Sequence, residues 1–252
     1  MTDVTTTASR FGLSSGSAPG DTAAQLLARL QRWELGTVDL RFGKGHAWEA
    51  GGTTVFTTAG IEIAHIGVSV TLGAVDVDLD ALEAGLSRML DPGRAVPVKV
   101  FAGATLDDQG AAGAKAWDLA ERQITRLARI SGRPPLVETH HGYASIATLG
   151  ELCQKLGCAV LLDVFGLQRL TGGLSDPDDV LRTWTRAVQV KGFAVDDVGK
   201  HLPLSRMPEA AWALLRDLPE PVPVTLESRS GTIGDDITTL KRRYQTAGKE
   251  TS

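Results

Sequence analysis

The chain has 252 residues, 42% of them hydrophobic and 22% charged, a composition typical of a globular protein large enough to bury a core. Its 30 Asp and Glu residues outnumber its 26 Lys and Arg residues, and the resulting net charge of −4 is unlike that of most nucleic-acid-binding proteins. No apolar run approaches the roughly 20 residues that cross a membrane. The polar start MTDVTTTASR does not resemble a secretory signal. Two cysteines, Cys153 and Cys158, form no disulfide framework, so the sequence predicts a cytoplasmic protein without nucleic-acid or membrane partners.

Apolar strand-like segments and amphipathic helical segments alternate along the chain. The predicted strands cover residues 11–15, 37–42, 61–70, 97–101, 135–140, 158–165, 190–197 and 222–227. A first helix is predicted after the N-cap residues Asp21 and Thr22. The other predicted helices cover residues 80–90, 108–130, 145–156, 178–188, 209–218 and 235–245. The second unit is the weakest, because nothing between residues 45 and 60 has a strong helical pattern.

This alternation predicts an α/β fold, a (β/α)8 TIM barrel in one domain. Dividing 252 residues by eight gives about 31 per unit, which suits one strand and one helix. A doubly wound open sheet is the alternative, although no G-x-G-x-x-G follows an early strand. We expect a flexible N-terminus over residues 1–10, the barrel over 11–247 and a tail over 248–252.

Carboxylates stand at the predicted ends of four consecutive strands. Glu138 ends the fifth strand, Asp163 the sixth and Glu227 the eighth, while Asp196 and Asp197 end the seventh. Adjacent strands lie about 4.8 Å apart, and barrel active sites form at the C-terminal strand ends. These carboxylates are therefore expected to converge on one site.

Basic and imidazole side chains accompany these carboxylates. Because side chains alternate along a strand, His140 shares a face with Glu138, and Arg229 shares one with Glu227. The loop GKGH after the second strand carries His46, and His201 follows the predicted seventh strand. The predicted substrate-binding residues are Arg41, His46, His65, Lys99 and Arg229, and the predicted acid–base residues are Glu138, Glu227 and His140.

Five short motifs in order resemble those of the xylose-isomerase-like TIM barrels, which include sugar-phosphate isomerases and epimerases, inosose dehydratases and endonuclease IV-like nucleases. The motifs are LVETHH (136–141), AVLLDVFG (159–166), GFAVDD (192–197), HLPL (201–204) and VTLESR (224–229). Members of this superfamily typically hold one divalent cation with Glu, Asp, His and Glu from strands five to eight. The resemblance therefore implies Glu138, Asp163 and Glu227 as ligands of Mn²⁺ or Mg²⁺.

The chain departs from the family pattern at two histidines. Gly166 stands where L-D-x-x-H ends, and Phe193 or Ala194 stands at the histidine of H-x-K-D. Asp197 or His201 is the candidate replacement ligand. The alternative is a site without metal, in which the carboxylates and His140 act unaided.

The resemblance implies an isomerase or epimerase that abstracts a proton next to a carbonyl of a small sugar-like or polyol-like substrate, aided by one divalent cation. A metal-free relative that catalyses isomerisation, dehydration or cyclisation in secondary metabolism is the first alternative. A non-catalytic barrel that binds a small molecule is the second. A nuclease is disfavoured because the chain lacks a histidine-rich zinc set. The sequence leaves a homodimer open.

Overall fold

A computed structural model describes residues 9–91, 93–174, 179–195, 197–218 and 222–247. The described strands are β1 (Phe11–Ser14), β2 (Thr37–Arg41), β3 (Glu62–Leu72), β4 (Val98–Ala102), β5 (Leu136–Glu138), β6 (Ala159–Asp163), β7 (Thr185–Val190), β8 (Gly192–Ala194), β9 (Asp197–Leu202) and β10 (Val224–Leu226). Eight of these strands are parallel and close into a barrel in the order β1–β2–β3–β4–β5–β6–β7–β10, with β10 pairing back onto β1. The predicted TIM barrel is therefore confirmed, and the open sheet is wrong.

Helices follow the strands and cover the outside of the barrel. The described α-helices are α1 (Ala23–Arg32), α2 (Thr54–Thr58), α3 (Leu79–Met89), α4 (Ala111–Ser131), α5 (Ile146–Leu156), α6 (Val164–Thr171), α7 (Asp179–Trp184), α8 (Glu209–Arg216) and α9 (Ile233–Ala247). Helix α1 begins at a capping box in which Thr22 and Gln25 bind each other's backbone amides. The weak second unit contains a 3₁₀ turn, Ala47–Gly51, and the five-residue helix α2. No described helix is both long and apolar enough to cross a bilayer.

The predicted seventh unit is wrong. The structure places β7 at Thr185–Val190, so that residues 185–188 of the predicted helix are strand, and α7 has only six residues. Of the segment predicted as strand seven, residue 190 ends β7 and residues 192–194 form β8, which pairs antiparallel with β9. The apolar run through residue 194 does not reveal where β7 ends, so the sequence pattern placed the strand one segment too late. The predicted helix start at residue 178 and both chain ends, residues 1–8 and 248–252, lie outside the described residues.

The barrel interior changes from apolar to polar towards the C-terminal strand ends. Leu136, Leu161 and Ala187 form a small buried cluster separate from the large core. Since side chains two residues apart share a face, the next interior residues on these strands are Glu138, Asp163 and Gln189. At this level Gln189 donates a hydrogen bond to Asp39 across the barrel. The strands therefore carry their polar residues to one end of the interior.

Candidate active site

A cavity of about 350 Å³ opens at the C-terminal ends of the barrel strands. It is lined by Arg41, Lys44, Gly67, Val68, Ser69, Lys99, Phe101, Glu138, His140, Asp163, Phe165, Arg169, Lys191, His201, Glu227 and Arg229. All three carboxylates predicted at the ends of strands five, six and eight lie in this lining. The structure therefore brings these three side chains together at one end of the barrel.

The seventh barrel strand ends in a lysine rather than a carboxylate. Val190 pairs in register with Leu226, so Lys191 and Glu227, which follow them, lie side by side. The ammonium nitrogen of Lys191 lies 2.8 Å from Asp163 Oδ2 and 3.0 Å from Glu227 Oε2. Its side chain is only 7% exposed, and those of the two carboxylates are 1% and 2% exposed. A buried ammonium thus bridges two of the three carboxylates.

This lysine corrects the prediction that Asp196 or Asp197 ends the seventh strand. Asp197 begins β9, beyond the barrel strand; its side chain, like the whole of Asp196, lies outside the described part of the structure. Lys191 was missed because the seventh strand was predicted at residues 190–197. The available signal was a lone charge inside an apolar run, QVKGFAV, since a buried charge is costly unless it is paired.

The other carboxylate, Glu138, has its own cation. Lys99 Nζ lies 2.5 Å from Glu138 Oε2 and 3.9 Å from the centroid of the Phe101 ring. A Cβ added at Gly67 would lie 3.2 Å from Lys99 Cε. Gly67, which pairs with Lys99 across β3 and β4, therefore leaves room for the lysine stem.

Arginines bind Glu227 from the other side. Arg41 forms an ion pair with Glu227 Oε1, and Arg229 Nη2 lies 3.8 Å from the same oxygen. The Arg41 side chain is half-buried, whereas that of Arg229 is exposed. Glu227 therefore contacts Lys191 through one carboxylate oxygen and the arginines through the other.

The environments move the pKa values of the two glutamates in opposite directions. Burial raises the pKa of Glu138, and the charge of Asp163 raises it further although Lys99 opposes this. Burial also disfavours charge on Glu227, but Lys191 and then Arg41 outweigh it and lower its pKa to about 2. Burial lowers the pKa of Lys191, but Asp163 and Glu227 outweigh this, so its pKa is raised and it is a cation. Carboxylates with pKa values pushed apart can take different acid–base roles.

Asp163 also begins helix α6, directly after β6. Its Oδ1 accepts hydrogen bonds from the backbone amides of Phe165 and Gly166, while its Oδ2 contacts Lys191. A Cβ at Gly166 would lie 2.0 Å from the backbone oxygen of Thr139. In this backbone arrangement the position therefore has no room for an imidazole or any other side chain.

The predicted histidines have different surroundings. His140 and His201 line the cavity; the ring of His140 packs edge-on against Phe101 and Tyr143. Burial, followed by the charge of Lys191, lowers the pKa of His201. Its Nδ1 has no hydrogen-bond partner among the described residues.

Two predicted substrate contacts, His65 and His46, are absent from the described cavity lining. His65 is buried, and its burial lowers its pKa to about 4. His46 lies beside Ser15, with 3.4 Å between its Nδ1 and the serine hydroxyl. Of the predicted substrate-binding set, the structure brings together Arg41, Lys99 and Arg229.

The donor set does not fit the divalent cation that the motifs imply. Each of the three carboxylates contacts a lysine or arginine, and an ion between Asp163 and Glu227 would have to displace the Lys191 ammonium. Among the described side chains, no group of three His, Cys, Asp or Glu residues could hold a metal. The site instead pairs each of its three carboxylates with a lysine or an arginine.

Comparison with known proteins identifies the fold. No family model and no curated protein matches the chain. The structure is similar to a xylose isomerase domain containing protein from Salmonella typhimurium LT2, with a TM-score of 0.70, 16% identity, and coverage of 95% of this chain and 97% of that one. The chain therefore has the fold of the xylose isomerase-like TIM barrels, as its motifs indicated.

Two further solved structures share this fold. 3-Keto-D-glucoside 4-epimerase, YcjR, from E. coli has a TM-score of 0.66 and 11% identity, with coverage of 94% of this chain and 99% of that one. The IolI protein, solved with a binding zinc atom, has a TM-score of 0.65 and 11% identity, with coverage of 94% and 97%. The fold neighbours thus include a sugar epimerase and a zinc-binding protein.

Proposed function

We propose that the chain is an isomerase-like or epimerase-like enzyme that moves a proton next to a carbonyl of a small polar substrate without a divalent cation. The observation that carries this proposal is the Lys191 ammonium, buried between Asp163 and Glu227. A cation is useful in such a reaction because negative charge develops on the carbonyl oxygen as the proton leaves. Lysine and arginine supply fixed positive charge here without an exchangeable ion.

Glu138 is the proposed base. Its carboxylate lines the cavity, and burial raises its pKa towards the range in which a general base works best near neutral pH. The Cα–H bond of the substrate breaks, the proton passes to a Glu138 oxygen, and the electron pair becomes a carbon–carbon double bond. The carbonyl π electrons move to its oxygen, which becomes an enolate stabilised by Lys99 or Lys191.

Return of the proton decides the product. In isomerisation the hydroxyl beside the carbonyl passes its proton to the enolate oxygen, and Glu138 returns the abstracted proton to the former carbonyl carbon, so that the carbonyl moves to the neighbouring carbon. In epimerisation Glu138 keeps that proton, protonated His140 donates its own proton to the other face of the original carbon, and both groups then exchange protons with water. Glu227, with its pKa lowered to about 2, stays ionised and holds Lys191 and Arg41 in place. We therefore propose Glu227 as a positioning residue and Glu138 as the catalytic residue.

The test is exchange of substrate α-protons for deuterium in D₂O, followed by proton NMR. The probes are a panel of ketoses, ketose phosphates and 2-keto acids, incubated with protein dialysed against EDTA. We expect exchange on at least one probe, and a loss of at least about 100-fold in Glu138→Gln, in keeping with the usual contribution of general acid–base catalysis. Glu62→Gln, at the opposite end of the barrel on β3, is the matched control and keeps the wild-type rate.

Three results would contradict the proposal. The first is no exchange on any probe, the second is exchange that requires added Mn²⁺ or Mg²⁺, and the third is full exchange by Glu138→Gln. The Glu138→Gln protein must keep the wild-type circular dichroism spectrum and melting temperature within a few degrees, so that a folding defect is not read as lost chemistry.

A further inference from the structure

The charges inside the cavity nearly balance. Lys99 contacts Glu138, and Lys191 contacts Asp163 and Glu227. Together with Arg41, the inner lining therefore has three cations and three carboxylates. Asp39, below the cavity and bound to Ser14 and Gln189, adds one negative charge. The inner site on its own has no excess positive charge.

The rim of the cavity adds three more cations. Lys44, Arg169 and Arg229 complete the positively charged lining, and no further carboxylate lines the described cavity. Arg169 lies 5.7 Å from the Phe165 ring centroid, and neither it nor Lys44 has a carboxylate within ion-pair distance among the described residues. The cavity thus has six cations and three carboxylates, an excess of two positive charges even when Asp39 is counted.

This excess is opposite in sign to the chain as a whole, which has a net charge of −4. Two histidines near the site respond to it in the same direction. Burial is the main cause that lowers the pKa of each histidine. The next cause is the positive charge of Arg41 for His46 and that of Lys191 for His201. A cleft lined by one sign of charge attracts ligands of the opposite sign.

We infer that the substrate carries an oxyanion group, a carboxylate or a phosphate, which is held at the rim by Arg169, Arg229 and Lys44. This inference rests on the proposed function, because the group would anchor a substrate whose carbonyl reaches Glu138 and Lys191. Arginine suits such a group since its planar guanidinium donates two parallel hydrogen bonds to carboxylate or phosphate oxygens. Two negative charges would neutralise the excess, so a phosphate dianion is the better match.

A second arginine-bearing cavity provides an internal control. It lies at the opposite end of the barrel, where Arg94, Arg133 and Arg186 are among its lining residues, and its volume is about 710 Å³. It contains none of the three carboxylates or of Lys99 and Lys191. An anion that bound by general attraction to arginines would bind there as well.

The experiment is isothermal titration calorimetry of the full chain with inorganic phosphate, and separately with glycolate and glycerol, at low ionic strength. We expect phosphate to bind at one site, at least about ten-fold less tightly in Arg169→Gln/Arg229→Gln, and with unchanged affinity in Arg94→Gln/Arg133→Gln. If glycolate also binds, and binds less tightly to Arg169→Gln/Arg229→Gln but not to Arg94→Gln/Arg133→Gln, the site accepts a carboxylate. The anion that binds more tightly to the wild type, phosphate or glycolate, identifies the anionic group of the substrate. Melting temperatures of both double variants confirm that they fold.

Several outcomes would overturn the inference. They are no binding of either anion, glycerol binding as tight as that of the anions, or loss of binding in Arg94→Gln/Arg133→Gln instead of the rim variant. Glu138→Gln separates this inference from the proposed function, because it should lose deuterium exchange and keep phosphate binding. Phosphate binding at the rim by a protein that exchanges no α-protons would contradict the reaction and leave the anion site standing.

Discussion

Replacing Lys191 by methionine tests the central feature of the site, a buried ammonium between two buried carboxylates. Methionine keeps a similar length and removes only the charge and the hydrogen bonds. Asp163 and Glu227, with side chains 1% and 2% exposed, then remain together without the lysine. Removal of one partner from a buried ion pair usually costs about 3–5 kcal/mol, because the remaining charge is uncompensated.

The pKa of Glu227 gives an independent magnitude. It falls from an ordinary 4.5 to about 2, and Lys191 is the first of the charged groups that lower it. One pKa unit corresponds to about 1.4 kcal/mol, so the fall is worth roughly 3 kcal/mol of unfolding free energy at pH 7. We expect Lys191→Met to lose most of this stabilisation, and to keep the remainder because Arg41 still contacts Glu227.

The pH dependence has a definite sign. In the wild type, the folded pKa of Glu227 lies below its unfolded value, so its stabilisation is present above about pH 4.5 and is lost as pH falls towards 2. Without Lys191, the pKa of Glu227 rises towards its ordinary value of 4.5, because burial favours the protonated carboxyl and only the arginines remain to oppose it. The variant therefore lacks most of this stabilisation at pH 7, and its deficit relative to the wild type should shrink as pH falls from 7 to 3.

Urea unfolding at pH 7 and pH 3, followed by circular dichroism, measures both effects. Lys115→Met, on the exposed surface of helix α4, is the matched control and should change the free energy of unfolding by no more than about 0.5 kcal/mol. A loss below about 1 kcal/mol for Lys191→Met, equal at both pH values, would refute the buried ion-pair reasoning.

Three further predictions follow from individual contacts. Lys191→His replaces the ammonium by an imidazole, which can ligate zinc together with the neighbouring carboxylates. Elemental analysis after dialysis against Zn²⁺-free buffer should find about one equivalent of Zn²⁺ in this variant and almost none in the wild type. Equal metal content in both proteins would contradict this prediction. Gly166→Ala, whose Cβ would lie 2.0 Å from a backbone oxygen, should lower the free energy of unfolding in urea by more than about 3 kcal/mol. Gly173→Ala is the control, because no atom lies within 4 Å of its Cβ. Equal losses in the two variants would contradict the prediction, because they would show that α6 shifts to make room for the Gly166→Ala methyl group. Burial raises the pKa of Cys153 to about 12 and also raises the pKa of Cys158. Neither thiol should therefore react with iodoacetamide at pH 8 until urea unfolds the chain. Labelling of the folded protein within minutes would disprove the burial of these cysteines.

Local sequence pattern was sufficient for most of the barrel. The predicted fifth strand, 135–140, contains β5, and the helix predicted at residues 145–156 differs from α5 by one residue. Such segments succeed because apolar strands, amphipathic helices and caps such as Ser145 all act over a few residues. The same local signals placed Glu138, Asp163 and Glu227 near the ends of barrel strands.

The seventh strand shows where this reasoning stops. The segment from residue 185 to 194 is apolar enough for a strand in either of two registers, and only pairing with β6 and β10 selects Thr185–Val190. That choice places Lys191 level with Glu227 instead of leaving two aspartates at the strand end. A shift of register changes which residues point into a site, and no property of the segment by itself decides it.

The sequence by itself determined a barrel with carboxylates gathered at one end, because composition, periodicity and strand ends are local properties of the chain. Only the tertiary structure decided which cations face those carboxylates. Lys99 reaches Glu138 from the neighbouring strand, and Lys191 reaches Asp163 from 28 residues away. The charge state of the site depends on such distances through space, and the pairing and register of the barrel strands bring these groups together.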